Sequence, residues 1–256
     1  MRLIIFGDSF AQPYEQEWIW YRQTAQKLDC DEIINYAIQG SSLEYSLSKL
    51  VGHIATDLQE QDKIIFLTTI PIRAPIVHEK YLPEWACLYN MDVLADKNIH
   101  STAHEHFEQH KQYYKSHALF AEYNISLYKH LPLIATCNMI NNDVVCMMMF
   151  DVVPAYIRKL VTKKNLIIPD MFLYDVSANE LDQQNMPALF NKLGIGDMRP
   201  CHLTRKNHDV LAEAMAQSLT QKKDCFNVDS FHQKILNKNN VHKFFSEWNK
   251  MFERNQ

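Results

Sequence analysis

Four short apolar runs, separated by segments of helical periodicity, constrain this chain more than any other feature. The runs are Arg2–Phe6, 33–37, 63–68 and 144–150, and a weaker fifth falls at 166–168 or 172–174. Each is nearly continuous in apolar residues instead of alternating with polar ones, the pattern of strands covered on both faces. Between them, 17–28 and 43–59 repeat apolar residues every three or four positions, as amphipathic helices do. Strand–helix alternation of this kind predicts a three-layer α/β/α sandwich around a mostly parallel five-stranded sheet. With 256 residues, the chain is at the upper end of what one hydrophobic core supports.

Segment 76–142 is too long for a single crossover. It holds an aromatic stretch around Tyr81, Trp85 and Tyr89, polar helical sequence over 104–123 and an apolar helix over 125–140. It reads as a helical insertion that packs over the sheet edge or forms a lid. Residues 1–222 then form the α/β domain, and 223–256 form a helical extension, amphipathic through residues such as Phe244, Phe245, Trp248 and Phe252, that docks on the body or makes a homo-oligomer contact.

A net charge of −4 argues against a nucleic-acid partner, which would call for a basic face. No apolar run is long enough to span a membrane. The start reads as strand and turn without a leader's small-residue cleavage site. The six cysteines are scattered with no CxxC pair, which predicts reduced thiols and a cytoplasmic setting.

The first strand runs directly into Gly7-Asp8-Ser9. That places Ser9 at the carboxyl end of a strand, the edge where open α/β sheets bind ligands. A hydroxyl there needs a histidine and oxyanion donors to become a nucleophile. The plainer alternative is that Asp8 or Ser9 caps the next helix. Near the end of the α/β portion the chain reads Asp197-Met198-Arg199-Pro200-Cys201-His202-Leu203-Thr204-Arg205-Lys206-Asn207-His208. His202 is expected in a loop before a helix over 209–220, which Thr204 or Asn207 could cap.

Taken together, the Gly-Asp-Ser turn, Gly40 after the second strand, and His202 with His208 six residues on resemble the SGNH (GDSL-type) hydrolase family. The resemblance implies a flavodoxin-like α/β/α fold and a serine esterase or deacylase that uses no cofactor and no metal. It implies Ser9 as nucleophile, His202 as general base, and the backbone amides of Ser9 and Gly40 as oxyanion donors. Small acyl esters, including O-acetyl groups on glycans, are the implied substrates.

Two positions depart from the family pattern. The third block, Phe66-Leu67-Thr68-Thr69-Ile70-Pro71-Ile72-Arg73, lacks the family's asparagine. Thr69 is the candidate replacement donor; Arg73, which could reach an anionic group, and Asp8 are candidate substrate contacts. The family's triad aspartate falls on Arg199, leaving Asp197 or a backbone carbonyl to orient His202. Two alternatives follow: an O-acyltransferase, or a non-catalytic protein of a phage or bacterial surface that keeps the fold, which would allow association with a virion.

Other candidates have simpler readings. His100, His104, His106 and His110 cluster without an HExxH signature and with Glu105 and Glu108 among them, a solvated polar face rather than a zinc site. Met147, Met148 and Met149 read as core filling. Trp18, Trp20 and Tyr21 read mainly as core, with one ring available to line a pocket. Neither a Walker A loop nor a G-x-G-x-x-G fingerprint is present.

Overall fold

The computed structural model describes residues 1–13, 15–38, 41–68, 73–75, 87–89, 111–113, 115–116, 130–148, 158–171, 173, 203 and 205–231. Five strands form one parallel sheet: β1 (Arg2–Phe6), β2 (Glu32–Asn35), β3 (Lys63–Leu67), β6 (Asp143–Met147) and β7 (Leu166–Ile167). Their spatial order is β2-β1-β3-β6-β7. This is the doubly wound arrangement in which the chain leaves β1 in one direction and later continues past it in the other. Two further strands, β4 (Arg73–Pro75) and β5 (Cys87–Tyr89), pair antiparallel in a separate ribbon.

Register explains why the strands are apolar on both sides. Ile5, Ile65, Val145 and Ile167 stand side by side across the sheet and point to one face; Ile34, Ile4, Ile64, Val144 and Leu166 point to the other. The first row packs under α1 (Trp20–Lys27) and α4 (Arg205–Gln221), with Trp20, Ala25, Leu211 and Met215. The second packs under α2 (Leu43–Thr56) and α3 (Leu131–Met139), with Leu50, Leu133 and Ile134. Burying each such aliphatic side chain stabilises the fold by about 1.5–3 kcal/mol.

The two edges of the sheet differ in chemistry. At the amino edge, Arg2 grips Asp62 through Nε (3.0 Å) and Nη2 (2.6 Å) and also bonds Asp57 (2.9 Å). Asp143 there pairs with Lys63 and with Lys222 (3.0 Å). At the carboxyl edge the buried polar side chains include Asp8 and the hydroxyls of Ser9, Ser41, Ser42, Ser46 and Thr68.

Several expected elements need correction. The last helix begins at Arg205, not near 209, so Asn207 and His208 are buried helical residues and Asn207 does not cap it. Tertiary burial outweighs the local preference of asparagine for a cap. Within the segment expected to be a helical insertion, the described residues include a strand, β5, which pairs with β4 just before that segment, and α3, at its end, belongs to the sandwich because its apolar side chains close the second core. Helix α1 is capped at Ile19, so neither Asp8 nor Ser9 caps it. Met147 and Met148 are buried core residues, while Met149, His100, His104, His106 and His110 lie outside the described residues.

Candidate active site

Strand β1 ends against β3 so closely that its exit requires glycine. Gly7 has φ +157°, and a Cβ there would lie 3.1 Å from Leu67 Cβ and 3.3 Å from the Leu67 carbonyl oxygen. Beyond it the chain closes a tight turn. The Ala11 amide donates to the Asp8 carbonyl (3.0 Å), and the Phe10 amide donates to Asp8 Oδ1 (3.2 Å). The carboxylate thus builds the turn by an Asx-type bond. Ser9 follows Asp8 inside the turn and keeps 8% of its surface exposed, against 1% for Asp8.

The carbonyls of Gly7, Phe10 and Ala11 around this turn are each held. Gly7 O accepts from the Ile38 amide (3.3 Å), Ser41 Oγ (3.1 Å) and Ser46 Oγ (3.4 Å). Phe10 O accepts from Trp20 Nε1 (3.0 Å), and Ala11 O accepts from Asn35 Nδ2 (2.7 Å). Asn35 Oδ1 in turn accepts from the Ala37 amide (2.9 Å). Buried carbonyls left without donors would each cost stability, so these bonds specify one conformation for the turn.

The neighbouring strands end at the same edge because all five run parallel. Thr68, just past β3, donates its amide to Met147 O (3.0 Å) and its hydroxyl to Met148 Sδ (3.7 Å). Helices that return from parallel strands start at the strands' carboxyl ends, which brings the amino ends of α1 and α4 here. His208, in the first turn of α4, accepts the Trp20 amide at Nδ1 (3.3 Å) and meets the Trp18 ring edge-on at 5.0 Å.

Of the residues picked from sequence, the structure describes Ser9 and Asp8 at this edge. Arg73 is described as a β4 backbone position opposite Tyr89. His202, Asp197, Gly40 and Thr69 lie outside the described residues. Sequence reasoning missed Asn35, Ser41 and Ser46 as supports of the turn. The available signal was an asparagine closing a strand and a serine pair opening a helix. Trp20, expected as core, is fully buried and also a hydrogen-bond donor to the turn.

Two other chemistries can be weighed from the described residues. Burial pushes the Cys137 thiol up to about 12 and raises Cys146 as well, so neither offers a thiolate. Among the described residues, no group of three or more His, Cys, Asp or Glu side chains could hold a metal ion. Nor, among them, is any helix long and apolar enough to cross a membrane.

No family model and no curated protein sequence matches the chain. Among solved structures it is similar to a member of the lipolytic protein G-D-S-L family from Veillonella parvula DSM 2008, with 13% identity and TM-score 0.41 over 86% of this chain and 98% of that one. It is similar to TesA, with 12% identity and TM-score 0.43 over 87% and 99%. A third is the psychrotrophic esterase EstA from Pseudoalteromonas sp. inhibited by monoethylphosphonate, with 14% identity and TM-score 0.37 over 86% and 97%. The G-D-S-L family is the one that the Gly7-Asp8-Ser9 motif resembles. The fold class rests on the strand order, register and layering described above.

Proposed function

We propose that this chain is a divergent SGNH-type serine ester hydrolase acting on small acyl esters, such as O-acetyl groups on glycans. The observation that carries the reading is the position of Ser9. It sits in a hydrogen-bonded turn at the carboxyl end of a central strand, with a glycine exit that only glycine fits. That is where an α/β sheet presents reacting groups.

In the reaction, Ser9 Oγ attacks the acyl carbonyl carbon while His202 takes the hydroxyl proton. The carbonyl oxygen becomes an oxyanion that accepts from the amides of Ser9 and Gly40 and from the Thr69 hydroxyl. The tetrahedral intermediate collapses, the carbon–oxygen ester bond breaks, and the departing alkoxide takes the proton from His202. Water then attacks acyl-Ser9 by the same steps in reverse and releases the acid. Asp197 or a backbone carbonyl orients His202, and Arg73 contacts an anionic part of the alcohol portion.

Fluorophosphonate labelling of the folded protein, mapped by mass spectrometry, tests this. The expected result is a tag on Ser9 that is absent in Ser9→Ala and in His202→Ala, together with release of acetate from acetylated glycans or a chromogenic acetyl ester. A folded protein that takes no tag and releases no acid overturns the reading and leaves a non-catalytic protein on this fold.

A further inference from the structure

Helices α1 and α4 lie side by side and run in the same direction. Their contacts advance together: Trp20 with His208, Gln23 with Asp209 (2.6 Å), Thr24 with the Ala212 carbonyl (3.4 Å) and Lys27 with Glu213 (2.6 Å). The bonds at the exposed end are surface contacts worth little individually. The Trp20–His208 end is different, because Trp20 is fully buried and His208 is 3% exposed.

The amide of Trp20 is one of the donors that the first turn of a helix leaves without an intrahelical partner. Ile19, at the cap position, has no side-chain oxygen to offer. His208 supplies the acceptor from another helix, 188 residues away in sequence. Accepting at Nδ1 places the imidazole proton on Nε2. The same tryptophan turns its indole N–H to the carbonyl of Phe10, next to Ser9.

We propose that Trp20 and His208 form a clasp that registers the Ser9 turn against the amino end of α4, and that both are positioning residues for the chemistry at Ser9. This rests on the reading of Ser9 as the nucleophile. His208 acts here as a hydrogen-bond acceptor and takes no part in proton transfer. Its role follows from the route of the chain: His202 precedes α4 by three residues. The clasp is the described link between the helix that segment enters and the turn that carries the serine.

The test compares His208→Leu, which removes the acceptor, with His208→Asn, whose side-chain oxygen can take the place of Nδ1, and with Trp20→Phe, which keeps a ring but loses the indole N–H. Hydrogen exchange is followed in 8–13 and 20–23, and the rate of fluorophosphonate labelling and the kcat and KM for a chromogenic acetyl ester are measured in parallel. His208→Leu should speed exchange of the Trp20 amide about tenfold, the scale of one lost neutral hydrogen bond. Trp20→Phe should speed exchange in 8–13 by a similar factor. Both should lower kcat and the labelling rate about tenfold with little change in KM, and His208→Asn should restore most of each loss. Unchanged exchange in His208→Leu and Trp20→Phe overturns the clasp, as does a His208→Asn protein as slow as His208→Leu. Failure of the wild-type protein to label sinks the nucleophile reading instead, while the exchange measurements still decide whether the clasp exists.

Discussion

The side-chain amide of Asn35 donates to the carbonyl of Ala11 at 2.7 Å and accepts from the amide of Ala37 at 2.9 Å. One residue at the end of β2 thereby joins the exit of the Ser9 turn to the segment leading toward Gly40. On the far side of that segment, Ser41 donates to the Gly7 carbonyl. Both flanks of the Gln39-Gly40 pair are therefore tied to the turn that carries Ser9. In the proposed reaction the Ser9 and Gly40 amides are oxyanion donors on separate loops; such donors act together only if their spacing is fixed, and these bonds fix the flanks.

Asn35→Ala should lower stability by about 1–3 kcal/mol, because it removes two hydrogen bonds and leaves the Ala11 carbonyl and the Ala37 amide without these partners. It should also reduce ester hydrolysis more than the stability loss accounts for. Asn35→Asp should be worse, since a carboxylate would face the carbonyl oxygen it replaces a donor to. Urea midpoints and acetyl-ester kcat for the two variants check the order; equal stability in Asn35→Ala and wild type would remove the support role.

Gly7→Ala should cost about 1–3 kcal/mol from backbone strain alone, since φ +157° is a region that L-residues avoid. The new Cβ would also press on Leu67 Cβ and the Leu67 carbonyl. The β1 exit and the end of β3 would have to separate, so labelling of Ser9 should fall in the folded fraction as well. Equilibrium unfolding and labelling on the same sample separate the two effects.

His53 gives the fold a dependence on mildly acid pH. Its side chain, on the buried face of α2, is fully buried, with Nδ1 3.0 Å from the Tyr36 hydroxyl and ring contacts to Phe6 and Tyr36. Burial lowers its pKa below the usual 6.5, Asp57 and Asp62 oppose the shift, and Arg2 adds to it. The unfolded chain therefore takes a proton at a higher pH than the folded one. Stability contributed by neutral His53 is complete above about 6.5 and is lost as pH falls from there toward the folded value. Replacing it, as in His53→Gln, should flatten the change in urea midpoint between pH 7.5 and pH 5.5. A slope equal to that of the wild type would assign the dependence elsewhere.

Asp62 governs a lower range. Burial pushes its carboxyl up, but the hydrogen bonds from Arg2 and from the Gln59 amide outweigh that and hold it below the usual 3.8. Its contribution is present above that ordinary value and disappears as pH falls through the folded one. Asp62→Asn should thus destabilise the protein at neutral pH and reduce the loss of stability on acidification below pH 4. Acid titrations followed by circular dichroism for the two proteins test the sign.

The sheet was legible in the order of the apolar runs. Strand β1 coincides with the first apolar run, β3 does so to within one residue, β6 overlaps the fourth run but starts one residue earlier and closes at Met147, and β7 lies where the weaker fifth signal fell. Continuous apolar strands separated by helices leave a parallel sheet with two covered faces as the arrangement that buries them all. The sequence also marked Ser9 and its glycine, because a turn at a strand exit is a local event. What the tertiary structure decided is contact between distant segments. Helix α4 starts at Arg205 because Asn207 and His208 are drawn into the core, and His208 finds its partner in Trp20, which no local spacing could reveal. The supports of the Ser9 turn come from Trp20 and from the 35–46 stretch. Hydrogen bonds of that range are set by how the layers dock, and periodicity records only which face of each element is buried.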